Sequence, residues 1–156
     1  MNLCSYYFYT ILFVIVIEGL NPFRSTGALA QNKIALEPEN TQMITEGQNI
    51  YQEQCASCHG KNLEGEPDWK TPKPNGRMPA PPHDMTGHTW HHHDTLLFEI
   101  TKFGTEAYIG RNYKSDMIGY KDILSDQEIV SVLSYIKSTW PLRDQRRHDQ
   151  MNKRIK

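Results

Sequence analysis

The sequence predicts an all-α domain, and two observations carry this prediction. Apolar residues recur at helical spacing wherever a periodicity is clear, and no stretch alternates apolar and polar residues as a half-buried strand does. A segment rich in proline and glycine, residues 60–88, excludes regular hydrogen-bonded structure over much of the remaining chain. The length of 156 residues suits one folded domain.

The amino terminus has the pattern of a secretory signal peptide. Residues 6–17 form an apolar run that is short for a membrane span, and Ala28 and Ala30 are small residues at the two positions that a signal peptidase reads. We therefore expect residues 1–30 to be removed on export, and no membrane attachment of the mature chain. An uncleaved membrane anchor is the alternative, because no Lys or Arg precedes the apolar run.

Three helices are expected along the mature chain. The first runs over residues 41–55 and the second over residues 94–103. The third begins after Ser125, where Ser-Asp-Gln-Glu forms a capping box, continues as an apolar stripe and stops before Pro141.

The first and last of these helices are expected to cross. Gly47 and Tyr51 share a face of the first helix, so a small residue lies beside an aromatic one where another helix can approach closely. The domain is then expected to cover residues 41–141, with residues 31–40 as a flexible mature amino terminus.

The carboxyl-terminal tail, residues 142–156, is basic, whereas the chain before it is acidic. Residues 31–141 carry 10 basic and 15 acidic residues, and the tail carries 6 basic residues against 2 acidic ones. A solvated, frayed helical extension is the expected structure of the tail. A docking element for an acidic partner or an anionic lipid surface is the alternative. The net charge of −1 says little about partners, and we expect no nucleic acid among them.

The stretch Cys55-Ala-Ser-Cys58-His59 has the spacing of a covalent haem attachment site. Each thiol can form a thioether to one haem, and the histidine that follows reaches the iron from the same turn of backbone. A structural zinc site needs four ligands, and Cys4 is the only other cysteine. A thiol–disulfide motif belongs at a strand-to-helix junction, whereas the flanks here read as a helix that runs into a loop. We therefore predict one covalently bound haem c.

Residues 60–88 are expected to form a long loop that covers the edge of this haem. The segment holds six of the nine prolines and four of the ten glycines of the chain. A structureless loop of this length is unusual in a compact domain unless it has a function, and a large apolar plate needs such cover.

Three motifs follow one another along the chain. They are Cys55–His59, then Met117-Ile-Gly-Tyr, then Leu124-Ser-Asp-Gln-Glu-Ile with a later Tyr-Ile-Lys. Together they resemble a class I cytochrome c of the small bacterial monohaem kind, over residues 40–141. The resemblance implies the cytochrome c fold, in which the first and last helices cross around one covalently bound haem. It also implies haem attachment outside the inner membrane, and so a periplasmic protein.

The resemblance implies His59 and a methionine as axial ligands on opposite faces of the iron. It places Met117 in the second position, just ahead of the last helix, although Ile118 stands where the family commonly has proline. Met78, which precedes a proline, Met85 and a histidine are the alternatives. The choice matters because a thioether ligand raises the reduction potential, whereas a second imidazole lowers it.

The segment of residues 83–94 has the most unusual composition in the chain. It holds five of the seven histidines, with one methionine and two aspartates, a set that can bind copper or zinc. We expect it to pack on the haem instead, with His83, His88 and Trp90 as candidate haem contacts. Surface histidines without a role and a second metal site are the alternatives.

The predicted function is that of a periplasmic one-electron carrier, not an enzyme. An iron with both axial positions filled by protein has no open site for a substrate, and its small reorganisation suits electron exchange. The expected partners are redox proteins such as a dehydrogenase, a membrane complex or an oxidase. An accessory cytochrome that handles copper through residues 83–94 is the alternative, and a haem enzyme or gas binder with an open sixth position comes third.

Overall fold

A computed structural model describes residues 34–110 and 112–155. The α-helices in these ranges are α1 (Thr41–Ile50), α2 (Ala56–His59), α3 (Asp94–Phe103), α4 (Thr105–Ile109), α5 (Asp126–Ser138) and α6 (Leu142–Arg154). The described residues contain no strand, so the predicted all-α class is confirmed. The predicted signal peptide lies outside the described residues.

The first helix is longer and less regular than the sequence predicts. α1 begins after Asn40, whose side chain accepts a hydrogen bond from the backbone N–H of Met43 at 3.3 Å. A π-helical turn, Tyr51–Cys55, then joins α1 to α2. The helical path therefore continues past the predicted end at residue 55, and Gly60 with its φ of 80° ends it.

The predicted crossing of the first and last helices of the domain is confirmed between α1 and α5. A Cβ atom on Gly47 would lie 2.0 Å from the carbonyl oxygen of Ser131, so only glycine permits this approach. The wholly buried ring of Tyr51 packs on the ring of Tyr135, with 5.6 Å between centroids. The hydroxyl of Ser131 also donates to Glu46 at 2.7 Å, which adds a polar contact beside the crossing.

α5 has the predicted capping box and the predicted apolar stripe. The backbone N–H of Ser125 donates to the Glu128 carboxylate at 2.7 Å, and the Glu128 N–H donates back to the Ser125 hydroxyl at 3.3 Å. The inward stripe consists of buried aliphatic side chains: Ile129, Val132, Leu133 and Ile136. α5 is thereby the helix on which the apolar core is built.

Residues 60–88 contain no helix or strand, as predicted. Backbone hydrogen bonds fold this loop back on the end of α2. Gly65 donates to the carbonyl of His59 at 2.7 Å, and His83 donates to the carbonyl of Leu63 at 2.8 Å. A Cβ atom on Gly87 would lie 1.9 Å from a carbonyl oxygen of the same loop. The loop is therefore closely packed, although it lacks regular structure.

The tail is helical as predicted, but the prediction that it is frayed and solvated is wrong. α6 is a helix of 13 residues that buries Asp144, Gln145 and His148 against the rest of the domain. Its docking depends on polar side chains, which an apolar periodicity does not reveal. Within residues 34–110 and 112–155, none of the helices combines the length and the apolar character that crossing a lipid bilayer requires.

Candidate haem attachment site

The three residues of the attachment signature lie at the end of one continuous helical segment. Cys55 closes the π-helical turn, and Cys58 and His59 belong to α2. Buried Tyr51 fixes this end of the segment, because its hydroxyl lies 2.8 Å from the carbonyl of Gly60 and 3.3 Å from that of His59. Burial raises the pKa of this hydroxyl, so it stays a donor. Single π-helical turns within α-helices are frequent at functional sites.

The two thiols are free and differ in their surroundings. Cys55 is half-buried against the core, whereas Cys58 is exposed. Burial, reinforced by the neighbouring Cys58, raises the pKa of the Cys55 thiol to about 11. Cys55 is therefore a neutral thiol at physiological pH. Two thiols one helical turn apart form a donor set that fits the two thioether links of a haem c.

The hydrogen bond of the His59 ring determines which nitrogen is available to a metal. Nδ1 lies 2.9 Å from the carbonyl oxygen of Pro81, and because a carbonyl only accepts, Nδ1 carries the proton. Nε2 is therefore the nitrogen with a free lone pair. Burial lowers the pKa of His59 against the opposing effect of the Pro81 carbonyl, which favours the neutral ring that a metal requires.

His83, a predicted haem contact, lies against the ring of His59. The two ring centroids are 4.0 Å apart and the ring planes are inclined by 24°. His83 Nδ1 lies 2.8 Å from the hydroxyl of Thr89, and its carbonyl accepts from Trp140 Nε1 at 2.9 Å. Burial lowers the pKa of His83 well below its ordinary value, and the nearby His59 lowers it further. Two neutral imidazoles therefore stack at the site.

Met117 is half-buried in the segment between α4 and α5. Its backbone N–H donates to the hydroxyl of Ser115 at 3.1 Å. A Cβ atom on Gly119 would lie 2.6 Å from a carbonyl oxygen of α3, so the segment is pressed against that helix. The hydroxyl of Tyr120 donates to the carbonyl of Gln54 at 2.8 Å. This bond ties the segment that carries Met117 to the helix that carries the attachment signature.

The alternative methionines differ in their positions. Met85 packs on the apolar core. Met78 is half-buried in the proline-rich loop, where an ion pair between Arg77 and Asp116 joins that loop to the segment of Met117. Met78 and Met117 therefore flank the two ends of one ion pair. Three residues after Met78 the Pro81 carbonyl bonds to His59, and three residues after Met117 the Tyr120 hydroxyl bonds to Gln54.

The histidines of residues 83–94 do not converge. The ring of His88 stacks on Trp69 at 5.2 Å and meets the ring of His92 edge-on at 5.1 Å. His93 caps α3, since its Nδ1 accepts from the third N–H of that helix at 3.2 Å. Across residues 34–110 and 112–155, no three His, Cys, Asp or Glu side chains are grouped so that they could hold a metal ion. The described structure therefore gives no support to a second metal centre.

Trp90, the third predicted haem contact, has a buried indole N–H with no hydrogen-bond partner among the described residues. The guanidinium of Arg147 lies 5.9 Å from the centroid of its ring. A buried donor without an acceptor costs free energy, which an acceptor such as a carboxylate of a bound group would recover. The ring of Trp90 contacts His91 and Arg147 of α6, so its role as a haem contact stays a prediction.

Apolar side chains on both sides of Met117 are about half exposed. They are Phe103, Tyr108, Ile109 and Ile118. Large apolar side chains that are exposed in a small domain are available for contact with an apolar group. The thiols, the free Nε2 of His59, the half-buried thioether of Met117 and these apolar side chains are the kinds of group that a haem c requires of its protein.

Three contributions to the site were not predicted from the sequence. The Pro81 group that orients His59 is a backbone carbonyl, so the side-chain types in the sequence do not predict this contact. The Tyr51 and Tyr120 hydroxyls bond to backbone carbonyls around the signature. The spacing of Tyr51 and His59, two helical turns apart, is the one sequence signal that could have indicated such a contact.

Comparison with known proteins agrees with this geometry. A family model described as cytochrome c matches residues 44–140, more than half of the chain. A nitrite reductase from Stutzerimonas stutzeri is 32% identical over 132 residues, and the match covers 80% of this chain. It covers 21% of that relative, so the chain spans about a fifth of its length. No solved structure matches. The chain belongs to the cytochrome c family, and it is therefore an electron-transfer protein that binds haem c covalently.

Proposed function

We propose that this cytochrome carries one haem c on Cys55 and Cys58, and that His59 and Met117 bind its iron in a periplasmic one-electron carrier. The observation that carries the proposal is the hydrogen bond from Tyr120 to the Gln54 carbonyl. It holds the methionine segment against the helix that ends in the attachment signature. The half-exposed apolar side chains around that segment support the same assignment.

The residues of this chain would contribute in distinct ways. When bound, the haem supplies a one-electron iron couple. The Pro81 carbonyl holds the proton on His59 Nδ1 and so keeps Nε2 available for the iron. The thioether of Met117 is a soft, neutral ligand that favours the reduced iron. If His59 and Met117 both bound the iron, no ligand position would remain for a substrate, which supports a carrier and not an enzyme.

We do not propose nitrite reduction for this chain on the basis of the relative named nitrite reductase. The chain covers about a fifth of that protein, so the activity in its name is not carried over to this chain. We propose that the chain exchanges electrons with redox proteins, such as a dehydrogenase, a membrane complex or an oxidase, through weak and charge-guided contacts.

The periplasmic location is proposed from the signal-peptide pattern of residues 1–30. Expression of the full chain in a host that attaches haem c tests it. We expect a haem-bearing protein in the periplasmic fraction, whose first residue is Gln31. A haem-bearing protein that retains residues 1–30 in the membrane fraction would support the uncleaved anchor instead.

The ligand assignment is tested with Met117→Ala and its matched control Met78→Ala. Oxidised wild-type protein should show the weak band at the red end of the spectrum that an iron–thioether bond produces. We expect this band to vanish in Met117→Ala, which should also bind carbon monoxide when reduced, and to persist in Met78→Ala. Loss of the band in Met78→Ala alone would identify Met78 as the ligand. A wild-type protein without the band would point to a second histidine.

A further inference from the structure

We propose that His83 is a positioning residue that fixes the plane of the His59 ring. This inference rests on the proposed function, in which His59 binds the haem iron. An imidazole ligand can rotate about the bond between iron and nitrogen. The direction of its plane determines how the ring interacts with the iron orbitals, so groups that hold the ring tune the metal.

The known partner of His59 does not by itself fix this plane. The hydrogen bond to the Pro81 carbonyl holds one atom of the ring, Nδ1. A single hydrogen bond leaves the ring free to swing about the line through the bonded atoms. A flat neighbour removes this freedom, and the ring of His83 lies 4.0 Å away at an inclination of 24°. This spacing and near-parallel arrangement are those of two stacked rings.

The ring of His83 is held rigidly because His83 has contacts on several sides. Its ring nitrogen Nδ1 lies 2.8 Å from the Thr89 hydroxyl. Its backbone N–H donates to Leu63 at 2.8 Å, and its carbonyl accepts from the indole of Trp140 at 2.9 Å. The edge of the Tyr51 ring closes the remaining side, with 6.3 Å between centroids. The ring of His83 therefore restricts rotation of the His59 ring out of its plane.

Variants at residue 83 that differ in side-chain shape test whether His83 positions the His59 ring or only fills space. His83→Leu introduces an apolar side chain of similar size, which has no ring nitrogens and presents no flat face. His83→Phe keeps the flat face and loses both ring nitrogens. Thr89→Val leaves both imidazoles in place and removes the hydroxyl that holds His83. The three variants separate the plane of the ring, its nitrogens and its anchoring.

The experiment uses haem-loaded protein and two readouts. The first is the electron paramagnetic resonance spectrum of the oxidised protein, whose g values report the plane of the axial imidazole. The second is the ratio of oxidised to reduced haem in a fixed redox buffer. We expect His83→Leu to change the g values and to alter the ratio by about two- to tenfold, the range that corresponds to one aromatic pair. His83→Phe should keep the wild-type g values, and Thr89→Val should show a smaller change than His83→Leu.

Different results overturn different claims. Identical spectra for wild type and His83→Leu would overturn the positioning role, as would a change in His83→Phe as large as that in His83→Leu. If His83→Leu does not accumulate with haem, the Thr89→Val variant is used for the test. Unchanged g values in Thr89→Val would then overturn the positioning role of His83. A wild-type spectrum without nitrogen coupling from an axial imidazole would overturn the proposed ligation by His59 itself, and so is distinguishable from the other outcomes.

Discussion

α5 and α6 are helices of equal length, but α5 docks mainly through apolar side chains and α6 through polar ones. Each has 13 residues. α5 turns an apolar stripe to the core and crosses α1 at Gly47, where backbone meets backbone. α6 buries Asp144, Gln145 and His148 instead. An apolar stripe needs only volume and shape from its neighbours, whereas each buried polar group needs a partner at the right distance. The docking of α6 therefore depends more on individual partner residues than the docking of α5 does.

The partners of α6 lie at the start of α3 and in the His-rich segment. His148 Nε2 donates to the carbonyl of His92 at 2.7 Å. The side-chain amide of Asn152 donates to the Asp94 carboxylate at 2.9 Å and accepts from the Asp94 backbone N–H at 2.8 Å. The same carboxylate accepts from the backbone N–H of Leu36 at 3.1 Å. Asp94 thus joins α6, α3 and the irregular segment that precedes α1.

The largest effect is expected where α5 crosses α1. Gly47→Ala places a Cβ atom 2.0 Å from the Ser131 carbonyl oxygen, so the helices must separate. We expect the free energy of unfolding to fall by about 3 kcal/mol, despite the better helix propensity of alanine. Urea unfolding of the haem-loaded protein measures this change. Gln48→Ala, at an exposed position on the same helix, is the control and should be neutral. Equal stabilities of the two variants would contradict the close crossing.

A smaller effect is expected at the ion pair between α5 and α6. The side chain of Lys137 is 1% exposed and lies 2.5 Å from the half-exposed carboxylate of Asp149. Asp149→Asn leaves a buried ammonium without its counter-charge, whereas Lys137→Met removes the buried charge and keeps much of the volume. We therefore expect Asp149→Asn to lower the free energy of unfolding by about 2 kcal/mol and Lys137→Met to lower it less.

The double variant sharpens this test. Once Lys137→Met has removed the ammonium, the additional change Asp149→Asn should cost almost nothing. Urea unfolding of the four proteins forms a cycle that measures the coupling between the two side chains. Additive effects would show that the pair does not hold α6 to α5.

The smallest effect of the three is an acid sensitivity of α6. Burial lowers the pKa of His148 from its ordinary 6.5, against the raising effects of the His92 carbonyl and the Asp94 carboxylate. Lys137 also lowers this pKa, and Asp149 raises it. The unfolded chain therefore takes up a proton before the folded one does. The stability contribution is complete above pH 6.5 and is lost as the pH falls towards the lower folded value.

We expect the free energy of unfolding to decrease below pH 6.5 and to decrease less in His148→Gln. Other buried histidines with lowered pKa, such as His83, remain in both proteins, so the difference between the two curves isolates His148. His91→Gln, at an exposed position, is the control and should follow the wild type. Parallel curves for wild type and His148→Gln would contradict the prediction.

Much of the fold could be predicted because its signals are local. The capping box at Ser125 and Glu128 sets where α5 begins, and the apolar stripe behind it sets the inward face. The bounds of α3 match the predicted residues 94–103. Gly47 beside Tyr51 indicated the crossing, because a helix interior tolerates glycine mainly where another backbone comes close. In each case a short stretch of sequence contains the physical cause.

The parts that could not be predicted depend on partners far away in the chain. Nothing in residues 142–156 shows that His148 meets the carbonyl of His92, so the tail reads as solvated. The composition of the His-rich segment does not reveal that His83 faces His59 whereas His93 caps a helix. The π-helical turn at residues 51–55 has no local signature either. Ligation of iron by Met117 stays a prediction, supported by the bond from Tyr120 to Gln54.

The loop of residues 60–88 also has a consequence for insertions. Closing a longer loop is inexpensive, because each doubling of length costs only about 0.6 kcal/mol. The loop is anchored where His83 bonds to Leu63 and where Arg77 pairs with Asp116. Between these anchors Gly76 has a φ of 79° and open space around the position of a Cβ atom. Gly76 therefore marks the place where a fluorescent label, an affinity sequence or a small domain can be introduced while the haem-bearing helix keeps its contacts.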